Sequence, residues 1–224
     1  MDRLAHQGLT PLARRVAAET GAGTVKLPRE YSYKSLPLAL IDAIFLIGVK
    51  YRATENTVER FCLSQQPAWS RYRWEVGPEH SVALFLDTVA NRGADVLSKE
   101  VYGNRQRTSA SSGILKSDAV TRCARVPVSH GIDCFGDCWK LQHNAALENE
   151  FRKVPGQGSG ISFSYLKMLC GDDDGIKADR HIRRFMDTLG IADVQQLRAV
   201  AAELRISART LDYAIWQKMS SHAA

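Results

Sequence analysis

The residues best suited to chemistry gather in the stretch Val154–Arg184, VPGQGSGISFSYLKMLCGDDDGIKADRHIRR. Pro155-Gly156-Gln157-Gly158-Ser159-Gly160 places glycines in a tight connection that runs straight into a helix starting near Ser159. Glycine reaches positive φ angles, which turn successive N–H groups toward one point, and it lets another backbone approach closely. A helix N-terminus adds free N–H donors and a partial positive charge. The outcome is a phosphate seat that needs no side-chain charge and would grip a nucleic-acid backbone without reading its sequence. Further along, Asp179 stands at the start of another helix, where a carboxylate is both a cap and a group fixed in space. Cleavage of a glycosidic bond builds positive charge on a sugar ring, and a fixed carboxylate stabilises that charge or activates the attacking water. At this point both features keep a structural reading as well, as a plain helix–turn–helix connection and an ordinary N-cap.

Other groups carry weaker signals. Arg105 and Arg107, with Ser109–Ser112, form a basic loop suited to phosphates or simply to solvent. Tyr51, Trp139 and Phe163 could stack on a base, or serve as core. His130, Cys134, Cys138 and His143 fit no strong zinc spacing, so no metal is expected there. Lys153 and Lys167 flank the glycine connection as surface or phosphate-contacting lysines.

These residues must be held by helices. Leu36, Leu40, Ile44 and Ile47 recur at helical spacing within Leu36–Lys50, with Ser35 before them and Pro37 in the first turn. Thr54 is expected to cap a helix running through Cys62, and Val82, Leu86 and Val89 mark another over Glu79–Asn91 with Gly93 as its C-cap. Helices follow over Ser117–Val126, stopped by Pro127, and over Trp139–Phe151. Gly160–Cys170, Asp179–Leu189, Val194–Leu204 and Ala208–Met219 complete the series, with Gly171 and Gly190 at C-caps. No period-2 run is long enough for a central sheet, so the fold class is all-α. Residues 1–30 read as a polar N-terminal arm. The turn Asp172-Asp173-Asp174 reads as solvated, and would repel phosphate if it faced DNA.

Composition sets limits. With 224 residues and 45% hydrophobic content the chain can build a proper core, and a net charge of +6 favours an acidic partner. Five irregularly spaced cysteines do not form a disulfide framework. The first 23 residues lack the apolar run of a secretory leader, and Leu36–Val49 falls short of the roughly 20 residues of a membrane span. A cytoplasmic protein without a membrane partner is expected, nucleoid-associated if its acidic partner is DNA.

Val154-Pro155-Gly156-Gln157-Gly158-Ser159-Gly160 resembles the Leu-Pro-Gly-Val-Gly hairpin of the helix-hairpin-helix (HhH-GPD) DNA glycosylase superfamily. Ala178-Asp179-Arg180-His181-Ile182 is similar to that family's Val-Asp-Thr-His-Ile phrase, and Gly113-Ile114-Leu115-Lys116-Ser117-Asp118-Ala119 to its Gly-x-x-x-x-Lys-Ala phrase. The resemblance spans roughly residues 35–190 in the same order. It implies a two-lobed helical fold over 31–224, with a central lobe of about 55–165 and a second from 31–54 plus 166–224. It implies a monomeric enzyme that turns a damaged, mismatched or modified base out of double-stranded DNA and hydrolyses its N-glycosidic bond beside Asp179, as in base excision repair. Pro155 through Gly160, Arg105, Arg107 and His181 would contact the DNA. The family's strand-cutting members carry a lysine where Gly160 stands, so a monofunctional, water-using enzyme is implied. The four-cysteine iron–sulfur loop of some relatives is missing, and no cofactor is required, although the hairpin carbonyls would hold a monovalent cation. Two competitors remain: a non-catalytic helix-hairpin-helix DNA-binding protein, and a helical interaction protein without a DNA role.

Overall fold

The computed structural model describes residues 9–110 and 113–221; residues 1–8 of the expected arm and Ser111–Ser112 of the basic loop lie outside the described residues. In chain order the helices are α1 (Pro11–Thr20), α2 (Leu36–Phe45), α3 (Tyr51–Leu63), α4 (Val82–Val89), α5 (Ala94–Val96, running on as a π-turn over Leu97–Val101), α6 (Lys116–Ser129), α7 (Ala145–Lys153), α8 (Ile161–Leu169), α9 (Arg180–Leu189), α10 (Val194–Glu203) and α11 (Ala208–Ser221). Short 3-10 turns occupy Ala22–Thr24, Arg29–Ser32 and Phe135–Leu141. Extended pairing among the described residues is limited to the isolated bridges Tyr33–Tyr72 and Arg107–Leu115. The all-α expectation therefore holds.

The chain divides into two units, Arg29–Cys170 and a second made of the residues up to Pro28 with those from Gly171 onward. In the Arg29–Cys170 unit every residue of α2 is buried. Its sequence is apolar on all sides but for Asp42, as a helix at the centre of a core must be. α3, α4, α6 and α8 pack around it. Asp42 accepts hydrogen bonds from the hydroxyls of Tyr33 (3.0 Å) and Tyr165 (3.5 Å), which offsets the cost of burying it. This central role of α2 is why residues 31–54 belong with 55–165 and not, as expected, to the other lobe.

In the second unit α1 packs on α10 and α11, and α9 on α11, around Val16, Phe185, Leu197, Leu211 and Ile215. Residues 11–20 are thus a packed helix and not an arm. Thr10 caps it by accepting from Ala13 N (3.2 Å), Pro11 opens it, and left-handed Gly21 closes it. Thr10 N also donates to the Glu203 carboxylate at 2.9 Å, which ties α1 to the end of α10.

Several element boundaries differ from expectation for local reasons. α2 stops at Phe45 because the Lys116 ammonium takes the carbonyls of Phe45 and Ile47. Thr54 lies buried inside α3 instead of capping it. Gly93 has φ −64° and opens α5, whereas α4 ends at Val89. Pro127 sits in the last turn of α6, which runs on to Ser129, and its carbonyl accepts from His130 N and Ile132 N. Trp139–Phe151 is not one helix. A left-handed His143 breaks it, and Asn144 then caps α7 through Leu147 N (3.0 Å).

Candidate nucleic-acid interface and the Asp179 cluster

The connection between α7 and α8 is two consecutive turns. Gln157 N donates to Val154 O (2.9 Å), closing a turn with Pro155 and Gly156 at its centre. Gly156 has φ +88°, the positive value that the third position of such a Pro-Gly turn requires. Gly160 N then donates to Gln157 O (3.0 Å), and Gly160 itself is left-handed at φ +74° before α8 begins at Ile161, one residue after the start expected for it at Gly160. Gly158 and Ser159 lie exposed in the second turn. Among the described residues the N–H groups of Gly158, Ser159, Ser162 and Phe163 have no protein acceptor. They are the free donors that make a helix N-terminus attractive to an anion. The carbonyl of Gly158 behaves differently: Arg152 donates to it through Nε (3.0 Å) and Nη2 (2.8 Å). A fixed cation of the chain therefore already sits on one of the carbonyls that the resemblance would assign to a bound monovalent ion.

Packing joins this hairpin to the basic loop. Thr108 N donates to Ile114 O and Lys116 N to Gln106 O, both at 2.9 Å, pairing residues 106–108 with 114–116. Thr108 meets Gly156 so closely that a Cβ on Gly156 would lie 2.3 Å from the Thr108 Cβ. The two elements expected to touch DNA are thus one surface of the same unit. Arg105 and Arg107 are exposed there, but neither is idle: Arg105 faces Asp95 at 3.8 Å and Arg107 Nη1 donates to Gly113 O at 2.6 Å. Beneath them Lys116 is buried, and its ammonium donates to Phe45 O (2.9 Å), Ile47 O (2.6 Å) and Gln106 Oε1 (3.1 Å). Burial lowers its pKa to about 8. Gln157 is buried beside the hairpin with both amide atoms lacking a hydrogen-bond partner among the described residues.

In the other unit Asp179 caps α9. Its Oδ1 accepts from His181 N (2.9 Å) and Ile182 N (3.2 Å), and its Oδ2 lies 3.5 Å from the Lys177 ammonium. The Asp179 side chain keeps 19% of its surface, against 9% for Lys177. Lys177 N donates to Asp212 Oδ1 on α11 at 2.8 Å. Burial pushes the Asp212 carboxyl up to about 7, against the pull of the Lys177 charge and of that backbone bond; the Asp179 charge adds to the rise. One lysine is thus placed between two carboxylates, one partly open and one closed off. His181 follows on α9, half-buried, with its pKa lowered chiefly by burial. Arg180, Arg183 and Arg184 stand exposed on α9, a basic face beginning at Asp179.

A family model matches residues 10–220, reaching across both units. The chain belongs to DUF8548, a family described as a domain of unknown function. No curated protein and no solved structure matches this DUF8548 chain.

Sequence reasoning about this DUF8548 chain passed over Lys177 and Asp212. Asp212 carries no local signal, because it reaches Lys177 only when α11 packs beside the start of α9. Asp173 and Asp174 are exposed, as the solvated reading of that turn expects, with Asp173 beside Arg209 (2.8 Å) and the Asp174 carbonyl accepting from Arg198 Nε (2.9 Å). Phe163 is core against Phe151, Tyr51 opens α3, and Trp139 is 70% exposed. His130 faces Glu150 at 3.2 Å, while the Cys138 thiol points to the Cys134 carbonyl. Among the described residues no group of His, Cys, Asp and Glu is arranged to hold a metal, and no helix is long and apolar enough to cross a membrane.

Proposed function

We propose that this chain is a monofunctional DNA glycosylase of the helix-hairpin-helix type, acting on a base turned out of double-stranded DNA. The observation that carries the reading is Asp179: one carboxylate oxygen locked by two backbone N–H groups, the other partly open beside Lys177. A carboxylate so fixed needs no reorganisation when positive charge develops on a sugar ring, and this is where electrostatic catalysis gains most. The hairpin supports the same reading from the side of binding, since its free N–H groups at the start of α8 suit a phosphate and carry no sequence preference. Arg105 and Arg107 flank it, and Arg180, Arg183 and Arg184 supply positive charge around Asp179. Asp179 would stabilise the oxocarbenium-like sugar and direct water to it, while the departing base carries away the electrons of the broken bond. Extrusion costs a few kcal/mol, least for a damaged or mispaired base, and so supplies part of the selectivity.

The test is a glycosylase screen on end-labelled duplexes carrying uracil, 8-oxoguanine, mismatched adenine or an alkylated base, with Asp179→Asn alongside. Alkali-dependent strand breaks that disappear in the variant are expected, with no complex trapped by borohydride. Salt-sensitive duplex binding without abasic sites on any substrate would overturn catalysis and leave a DNA-binding module. A trapped complex would overturn the monofunctional assignment and point to Lys177, the amine nearest Asp179 among the described residues.

A further inference from the structure

We propose that the turn Tyr72–Glu75 is a stacking platform for an unpaired nucleobase of a single-stranded nucleic acid, separate from the hairpin and from Asp179. The segment Arg71-Tyr72-Arg73-Trp74 alternates cation and ring. Glu75 N donates to Tyr72 O (3.0 Å), and this turn folds the Trp74 indole over the Tyr72 ring, with centroids 4.6 Å apart and planes within 14° of parallel. Tyr72 in turn stacks on Tyr33, at 6.1 Å and 9°. Tyr72 thus lies near-parallel to both Trp74 and Tyr33, with the Arg71 guanidinium over it at 4.9 Å, and Trp74 stays 55% exposed.

The platform is rigid for visible reasons. Lys34 N donates to Arg71 O and Arg73 N to Ser32 O, both at 2.9 Å, on either side of the Tyr33–Tyr72 bridge. Tyr33 is buried, with its hydroxyl on Asp42 in the core. Tyr31, next to it, meets Tyr165 of α8 edge-on at 6.3 Å, so the platform rests on the helix whose N-terminus is the hairpin. A tryptophan held this way loses little conformational freedom when another ring is added to it.

Charge decides what that ring belongs to. The Arg29 guanidinium lies over the Trp74 ring, 5.5 Å from its centroid, and the Arg73 guanidinium over the Phe135 ring at 4.6 Å; both arginines are exposed, so Arg29 would move aside to the phosphate when a base stacks on Trp74. The acids nearby are engaged elsewhere. The Glu75 carboxylate accepts from Arg71 N (2.5 Å) and Tyr72 N (3.2 Å), Glu55 faces Arg71 at 3.9 Å, and Glu30 is buried. An exposed ring with a guanidinium over it and another nearby would repel a cationic ligand, and an apolar protein surface would bury the guanidiniums without partners. A neutral π-face attached to a phosphate satisfies both, because every base stacks and every base carries an anion with it.

The test is the affinity of the whole chain for short labelled oligo(dT), for a base-free deoxyribose-phosphate chain of equal length, for oligo(rU) and for duplex DNA. Wild type should prefer oligo(dT) to the base-free chain by about tenfold. Trp74→Ala should abolish that preference and leave duplex affinity unchanged, while Trp74→Phe retains most of it. Tighter binding of oligo(rU) than of oligo(dT) would assign the platform to RNA, and the reverse to DNA. Equal binding of oligo(dT) and the base-free chain by wild type, or an undiminished preference in Trp74→Ala, would overturn the platform. Loss of duplex binding alone would count against the hairpin reading and leave the platform standing.

Discussion

Gly156, Gly158 and Gly160 look interchangeable in the sequence, yet alanine at each should have a different cost. At Gly156 a Cβ would meet the Thr108 side chain at 2.3 Å and 2.5 Å, on a backbone with φ +88°. Holding alanine in that conformation costs roughly 1–2 kcal/mol, and forcing an extra methyl into a packed contact costs about 1–3 kcal/mol. The stiffer unfolded chain returns roughly 0.4–1 kcal/mol. Gly156→Ala should therefore destabilise the Arg29–Cys170 unit by about 3 kcal/mol net. At Gly160 the φ is +74° but the nearest atoms to a Cβ stand 3.6 Å away, so only the backbone term applies and about 1 kcal/mol is expected. At Gly158 no atom lies within 4 Å and φ is not in the left-handed region, so alanine should stay within about 0.5 kcal/mol of wild type. Urea unfolding of the three variants, with amide exchange of residues 104–116 as a local probe, measures the order. Equal costs at Gly156 and Gly158, or an undisturbed loop in Gly156→Ala, would refute the claim that Thr108 fixes the hairpin to the basic loop.

Asp179→Asn keeps an oxygen for the His181 and Ile182 N–H groups but removes the charge beside the largely buried Lys177 ammonium, so glycosylase activity should disappear with a loss of stability smaller than that of Asp179→Ala, which also loses the cap, worth about 1 kcal/mol, in the same unfolding assay. The Asp212 carboxyl titrates near 7 when folded and at its ordinary acidic value when unfolded, so the folded state binds the extra proton between pH 4 and pH 7. Stability should fall across that window as pH rises, by something on the order of 2–4 kcal/mol, and Asp212→Asn should remove the slope. Lys116→Met leaves the carbonyls of Phe45 and Ile47 without their donor, and should cost about 2–3 kcal/mol at pH 7 by urea titration. The Lys116 amine has the opposite pH signature: its folded pKa of about 8 lies below the unfolded value, so wild-type stability should rise above pH 8, and Lys116→Met should not share that rise.

What the sequence disclosed was set by how local the causes were. The turn pair at Pro155–Gly160, the cap at Asp179 and the stop at Gly190 were readable because one or two residues dictate each of them. The ends of α2 and α6 were not, because a buried lysine from far along the chain finishes the first and packing carries the second past a proline. α1 went unread although Thr10, Pro11 and Gly21 mark both its ends, since small Ala13 and lone Val16 make a faint apolar stripe. Arg105 and Arg107 could be named, but their place beside the hairpin depends on Thr108 fitting against a glycine, and that is a property of shape. Lys177 and Asp212 escaped for the same kind of reason. The Tyr72–Trp74 pair was in plain view as alternating arginine and aromatic residues, a pattern that acquires meaning only once the turn stacks the rings.

The unit built from both ends of the chain has a consequence for the order of folding. To pack α1 against α10 and α11, the chain must close a loop of the whole segment Arg29–Cys170, at an entropic cost of about 4 kcal/mol for an unstructured loop of that length. Once the Arg29–Cys170 unit has formed, its own two ends are already neighbours, because the 3-10 turn at Arg29–Ser32 packs on α8. The loop is then closed in advance. A destabilising change in α2 or α8 should therefore slow the packing of α1 on α10 and α11.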